Sequence, residues 1–229
     1  MKTFIFCGGY GTRLNKGKPG PLKPLVKING MPIIEHIFNI YGKYGFKDFY
    51  LLGGYKFNEL LRFAKKIKKF NINVINSGVG TTTAGRLLYA KEILEKEERF
   101  FLTYGDSLAN FKPIKALKIK TSKNFVISTH NYKPPYGVIT ADRNSLIKKI
   151  FEKNFTLNIN AGFYVLDYRI FDYIKSKNES FELHTMPRIL KKIKNIKSLN
   201  LKKWHPIDNI YDIESVEKLL KSNNRHFNV

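Results

Sequence analysis

The residues best suited to chemistry stand near the front of the chain. An apolar run, Phe4 to Phe6, leads into Gly8, Gly9 and Gly11, followed by Thr12, Arg13 and Leu14. Ten residues after Arg13 comes Lys23, between Leu22 and Pro24. Glycine lets the main chain turn with positive φ and lets a ligand approach the backbone closely. Backbone N–H groups exposed in this way form an anion-binding concavity. Arg13 adds a planar fork matched to phosphate, and Lys23 adds a compact charge on a mobile stem. The loop is not a Walker A motif, because no Gly-Lys-Ser/Thr closes it. It is not a dinucleotide fingerprint either, since G-x-G-x-x-G is absent and no acidic residue closes the following strand. A tight turn would account for the glycines alone, but not for Thr-Arg-Leu and the spaced lysine.

The run GGYGTRL followed by LKPLVKING resembles the signature of the sugar-phosphate nucleotidyltransferases, Gly-Gly-x-Gly-Thr-Arg-Leu and then Pro-Lys-Pro. Leu22 stands where that signature has its first proline. The resemblance implies a nucleoside triphosphate lying over Gly8, Gly9, Gly11 and Thr12, with Arg13 and Lys23 on its phosphates.

Two acids suit a divalent cation. Asp106 follows the apolar run Phe100–Tyr104, at the carboxyl end of an expected strand; the competing reading is a turn or helix N-cap aspartate. Mg²⁺ bridging phosphates needs only one or two carboxylates, and the family places its metal aspartate here, although Ser107 replaces the usual second glycine. Near the other end, WHPIDNIYDIESVEKLL offers Asp208 and Asp212. Asp212 precedes Ile213-Glu214-Ser215 and reads as a helix N-cap. Trp204, Pro206 and Asp208 match the Trp-x-Pro-Met-Asp of glucose-1-phosphate cytidylyltransferases, which makes Asp208 the second metal ligand.

The base and acceptor sides rest on the same resemblance. Thr81, Thr83, Gly85, Arg86 and Leu87 match a Thr-x-Thr-Gly-Gly-Arg-Leu segment of the cytidylyltransferase branch, with Ala84 departing. Guanylyl and thymidylyl relatives usually have a Leu-Gly-Thr-Ala-like run there, so CTP is the implied donor. Arg86 is assigned to the phosphates, with pairing to a neighbouring acid as the alternative. On the acceptor side, FEKNFTLNINAGFYVLD implies Glu152, Lys153, Asn160 and Gly162 as pocket residues, with Lys153 on the acceptor phosphate. Tyr136 and Gly137 join them, where glucose enzymes carry an arginine before Phe-Gly. The family's Trp-x-x-Glu-Pro-Leu is replaced by FELHTMPRIL, which keeps only Glu182. The acceptor is therefore a sugar 1-phosphate or, as in the capsule phosphoramidate subgroup, phosphoglutamine. The implied reaction is in-line attack of the acceptor phosphate on the α-phosphorus of CTP, with Mg²⁺ on Asp106 and Asp208 and with Arg13 and Lys23 neutralising charge. The product would serve a capsule or another surface polysaccharide. A guanylyl or thymidylyl donor and a non-catalytic nucleotide-binding module are the rival readings.

The elements that must position these residues alternate. Strands are expected at Thr3–Cys7, Asp48–Leu52, Ile72–Ile75, Phe100–Tyr104, Phe125–Thr129, Val138–Thr140 and Ile159–Leu166. Helices are expected at Ile33–Tyr44, Asn58–Phe70, Arg86–Glu97 and Ser215–Leu220, with Leu60, Leu61, Ala64 and Ile67 buried in the second. Such alternation predicts an α/β, Rossmann-like fold, with a mostly parallel mixed sheet flanked by helices. A single domain over 1–229 is expected, with antiparallel strands added on the acceptor side.

Composition narrows the classes. Apolar residues make up 43% of the chain, enough for a core. No stretch approaches the roughly 20 consecutive apolar residues of a membrane span, and the amino terminus does not read as a signal peptide. The single cysteine, Cys7, rules out an internal disulfide and suits a reducing cytoplasm. Cys7 itself reads as a small buried strand-end residue. His36, His130, His184, His205 and His226 show no metal spacing. The net charge of +23 invites a polyanion, but the lysines are dispersed and no RNA-binding signature accompanies them. The expected partners are CTP and a phosphorylated small molecule, without nucleic acid or membrane insertion. A homo-oligomer is left open.

Overall fold

The structure is a computed structural model that describes residues 1–229 except 16, 97, 122–124, 153–154, 223–226 and 228–229, and except the side chains of 13 and 15. A seven-stranded sheet forms the centre. Its strands in chain order are β1 (Thr3–Phe6), β2 (Asp48–Gly53), β3 (Asn71–Asn76), β4 (Arg99–Tyr104), β5 (Val126–Tyr132), β6 (Leu157–Asp167) and β7 (Lys197–Asn200). Across the sheet the order is β7-β5-β6-β4-β1-β2-β3. Strand β1 runs parallel to β2 and β4, β2 runs parallel to β3, and β7 runs parallel to β5. Strand β6 is antiparallel to both β4 and β5. The parallel half therefore carries the glycine loop, and the mixed half follows it, as the alternation predicts.

Residues on β1 alternate between two cores, because successive strand side chains point to opposite faces. Ile5 faces α1 (Ile33–Gly42) and α2 (Phe57–Lys66), packing with Ile37, Phe38, Phe49 and Phe101. Phe4 and Phe6 face α3 (Thr83–Lys91), packing with Leu87, Ala90, Phe100 and Leu102. Both faces are covered at β1 and β4, so these two strands read as continuous apolar runs rather than alternating ones.

Helix ends differ from the periodicity reading for identifiable reasons. α3 begins at Thr83 because the Thr82 hydroxyl accepts the Gly85 N–H at 3.2 Å as an N-cap. α2 ends at Lys66, and Phe70 folds back onto Phe38 and Phe49. Leu60 and Ala64 are buried as expected, whereas Leu61 and Ile67 are half-buried. The last helix spans Ile210–Ser222 rather than starting at Ser215. Its first turn is closed by a reciprocal pair: Asn209 Oδ1 accepts the Asp212 N–H, and Asp212 Oδ2 accepts the Asn209 N–H. Asp212 thus completes a capping box whose N-cap is Asn209. Between β5 and β6 a two-stranded hairpin, Val138–Ala141 with Ile147–Phe151, stands apart from the sheet. Among the described residues no helix is long and apolar enough to cross a membrane.

Candidate active site

The carboxyl ends of β1 and β4 open into one cleft, the expected ligand position in such a sheet. A cavity of about 450 Å³ is lined by Gly8–Thr12, Lys23, Thr81–Thr83, Arg86, Tyr104 and Asp106. A second cavity of about 400 Å³ adjoins it, lined among others by Asn160, Gly162, Glu182, Trp204 and Asp208. Thr83, Tyr104 and Asp106 border both.

The glycine loop turns where glycine is required. Gly11 has φ +64, and a Cβ there would lie 2.7 Å from the Pro21 carbonyl oxygen. Leu14 donates to the Gly11 carbonyl and Gly20 to the Tyr10 carbonyl, which closes the loop on itself. The N–H groups of Gly9, Tyr10 and Gly11 carry no hydrogen bond among the described residues, so they can receive an anion. Thr12 and Arg13 lie in the short helical turn Thr12–Asn15. The Arg13 guanidinium, on which the phosphate expectation rests, lies outside the described residues.

Lys23 opens a second short turn, Lys23–Leu25, and is buried. Gly105 lets that turn pack on the end of β4, because a Cβ there would stand 2.8 Å from Pro24 Cγ. The Lys23 ammonium donates to Asp106 Oδ2 at 3.0 Å and to Asp208 Oδ1 at 2.5 Å. Asp208 reaches Asp106 through a short antiparallel ladder, Trp204–Pro206 against Ser107–Ala109, and through the Ile207 N–H, which donates to the Asp106 carbonyl. Asp212 fixes the Asp208 backbone as well, accepting its N–H at 2.8 Å. Two carboxylates some hundred residues apart in sequence therefore face one cation. That donor set fits Mg²⁺, which takes one or two carboxylates and completes its shell with water and phosphate oxygens. Among the described residues no group of three acidic, His or Cys side chains could hold a metal unaided.

The threonine run serves largely to fix backbone. Thr81 Oγ1 donates to the Ser77 carbonyl, Thr82 Oγ1 to the Lys177 carbonyl, and Thr83 Oγ1 to Glu182 while accepting the Phe181 N–H. Gly85 lies outside both cavity walls; a Cβ there would fall 2.2 Å from the Lys177 carbonyl oxygen, so it permits close packing. Arg86 is buried, with Nη1 on the Gly53 carbonyl and Ser77 Oγ and Nη2 on the Gly8 carbonyl. It pairs with no neighbouring acid among the described residues.

The acceptor-side expectations divide. Asn160 and Gly162 line the second cavity. Gly162, at φ +73 in a bulge of β6, leaves room for the Tyr104 ring, which a Cβ would approach to 2.7 Å. Asn160 bridges Tyr164 and the Gly162 N–H. Gly137 and Glu152 meet each other at the base of the hairpin, where a Gly137 Cβ would lie 2.5 Å from Glu152 Oε2, and Tyr136 is 83% exposed. None of these three lines either cavity. Lys153 lies outside the described residues. Tyr104 and Glu182 were not assigned from sequence. The Glu182 carboxylate accepts from the hydroxyls of Tyr104, Thr83 and Ser180 in the π-helical turn Phe181–Thr185. Glu182 stands in the segment that keeps little else of the family pattern, and Tyr104 precedes Gly105-Asp106; those were the available signals.

Cys7 and His36 are buried titratable groups. Burial pushes the Cys7 thiol up and keeps it protonated. Burial also lowers the His36 pKa, and its Nε2 contacts the Ile28 carbonyl.

The model of the nucleotidyl transferase family matches residues 2–223, and the chain belongs to that family. The chain is 30% identical to a probable glucose-1-phosphate cytidylyltransferase of Bacillus subtilis, with 96% of each chain covered. It is 28% identical to the glucose-1-phosphate cytidylyltransferase of Salmonella typhimurium, covering 96% of this chain and 95% of that one. It is also 34% identical to mannose-1-phosphate guanyltransferase 2 of Candida glabrata, over 83% of this chain and 56% of that one. The same fold is found in HddC from Yersinia pseudotuberculosis complexed with GMP-PN, with a TM-score of 0.75 at 23% identity, covering 96% of this chain and 99% of that one.

Proposed function

We propose that the protein is a cytidylyltransferase that moves CMP from CTP to a phosphorylated small acceptor and releases pyrophosphate. One observation carries this reading. A lysine ammonium bridges two carboxylates across a cleft from a loop of unengaged backbone N–H groups, which is an arrangement for polyphosphate. An acceptor phosphate oxygen attacks the α-phosphorus, the bond to the bridging oxygen of the β-phosphate breaks, and pyrophosphate departs with that electron pair. No protein nucleophile is required, because the attacking oxygen is already anionic, and the residues act by positioning and charge neutralisation. The loop amides and Arg13 hold the leaving β- and γ-phosphates. Lys23 exchanges a carboxylate oxygen for the α-phosphate as charge develops there. Asp106 and Asp208 would hold a Mg²⁺, which neutralises phosphate charge when bound.

CTP is favoured as donor by Thr81, Thr83 and Arg86 in the cytidylyl pattern and by the names of the relatives aligned over the full length. Glucose 1-phosphate is the leading acceptor, because the second cavity offers Glu182, Asn160 and Trp204 to a hydroxyl-rich ligand. Phosphoglutamine is the second reading, motivated by Pro135-Tyr136-Gly137 standing where the glucose enzymes carry an arginine before Phe-Gly, and by the loss of Trp-x-x-Glu-Pro-Leu around Glu182. The product would feed surface polysaccharide or capsule assembly from the cytoplasm. The test is pyrophosphate release with each common nucleoside triphosphate against glucose 1-phosphate, mannose 1-phosphate and phosphoglutamine. CTP with glucose 1-phosphate should turn over fastest. Faster turnover with GTP would overturn the donor assignment, and faster turnover with phosphoglutamine would overturn the acceptor.

A further inference from the structure

Arg86 is a cation placed where proteins seldom put one. Its side chain enters from α3, passes under the glycine loop and ends with 5% of the residue exposed. Room is made for it by two glycines. A Cβ on Gly8 would fall 1.7 Å from Nη1, and one on Gly54 would fall 2.6 Å from it. All three hydrogen bonds go to neutral oxygens: the Gly8 and Gly53 carbonyls and the Ser77 hydroxyl. Among the described residues no carboxylate pairs with it, and the adjacent Cys7 thiol is neutral. Burial lowers the Arg86 pKa, as expected of a charge lacking a counter-ion. Leaving a charge buried without a partner is costly. The same guanidinium forms part of the wall of the cavity beneath the free loop amides.

We propose that Arg86 is a positioning residue that fixes the phosphate-facing shape of the Gly8–Thr12 loop, and that its missing counter-ion is the ligand's own polyphosphate. Three of its five N–H groups are committed to protein oxygens, so it acts on the phosphate through the loop it braces and through its charge. By holding the Gly8 carbonyl down, it turns the following N–H groups toward the cleft. By adding a desolvated positive charge below them, it lets the cleft take pyrophosphate without a divalent metal. This inference rests on the reading of the loop as the triphosphate site, and it extends that reading to metal-free binding.

The experiment is calorimetric titration with inorganic pyrophosphate and with cytidine, in EDTA and then in Mg²⁺, on the wild type and on Arg86→Lys, Arg86→Met and Gly8→Ala. The wild type should bind pyrophosphate in EDTA. Arg86→Lys keeps the charge but loses the fork, and should weaken pyrophosphate about 10-fold. Arg86→Met should weaken it about 100-fold while cytidine affinity stays within about 3-fold. Gly8→Ala leaves Arg86 in the chain but displaces its guanidinium, and should resemble Arg86→Met. Should Arg86→Met not fold, Arg86→Lys and Gly8→Ala decide. Pyrophosphate affinity unchanged in folded variants that merely melt earlier would reduce Arg86 to a packing role and overturn the inference. Wild-type binding of pyrophosphate only with Mg²⁺ would also overturn it, leaving the proposed function standing. Absence of binding under both conditions would remove the proposed function itself.

Discussion

The two cavities meet at Thr83, Tyr104 and Asp106 but are built differently. The cavity under β1 is shaped by main chain: glycines, free N–H groups, and an arginine that braces carbonyls. The cavity beside β6 is shaped by side chains: Glu182, Asn160, Trp204 and the Tyr104 ring resting on Gly162. The proposed function assigns to the surface of backbone atoms what every nucleoside triphosphate shares. It assigns the choice of acceptor to the surface of side chains, which can be changed residue by residue. Under the proposed function, the triphosphate therefore depends on glycine geometry and the acceptor on exchangeable side chains.

The contrast breaks hardest at Lys23. Replacing Lys23 with Ala should lower kcat about 10²–10³-fold, the usual cost of one preorganised charge contact, with the circular dichroism spectrum unchanged. Near-normal pyrophosphate release would take Lys23 out of the chemistry. On the other side, Glu182→Gln keeps the shape but removes the charge that three hydroxyls surround. It should raise the acceptor KM about 10-fold and leave the CTP KM nearly unchanged. Equal effects on both KM values would show that the cavities do not divide the labour in this way.

A smaller effect concerns the scaffold that carries the Glu182 turn. Glu179 is held by both nitrogens of Arg188 and by the Thr185 hydroxyl, at 2.9, 3.1 and 2.7 Å. The Arg188 bonds, against the opposing effect of burial, bring its carboxyl down to about 2. An unfolded glutamate titrates near 4.3. The stabilisation is therefore complete above that value and is lost as pH falls toward 2, on the order of 2 kcal/mol at neutral pH. Glu179→Gln should lower the melting temperature at pH 7, and the gap from wild type should close on acidification. A gap that stays constant down to pH 2 would mean the ionised form contributes nothing.

The same contrast decides what could be read from the sequence. Strands β1, β2 and β4 were legible because each is a largely apolar run with both faces covered, and the glycine loop because its spacing leaves little else to do; β7 (Lys-Ser-Leu-Asn) was not, because only Leu199 is buried. Asp106 and Asp208 were legible as separate acids, but the short Trp204–Pro206 ladder that brings them together has no periodicity. Asp212 read as a cap, yet its partner Asn209 and its hold on the Asp208 N–H depend on three-dimensional closure of the turn. Arg86 was visible in Thr-Thr-Ala-Gly-Arg, but its destination, the Gly8 carbonyl, lies 78 residues away. The acceptor side was least legible. Tyr136, Gly137 and Glu152 sit on a hairpin outside both cavities, and Tyr104 and Glu182 gain their roles only when the bulge at Gly162 admits the ring.

The measurement that tests the account most directly is a crystal structure of the protein with CTP and Mg²⁺. The account predicts the triphosphate along the N–H groups of Gly9 to Gly11, with Asp106 and Asp208 both turned toward the α-phosphate. A nucleotide bound elsewhere, or carboxylates still closed on Lys23 with the triphosphate away from them, would contradict it.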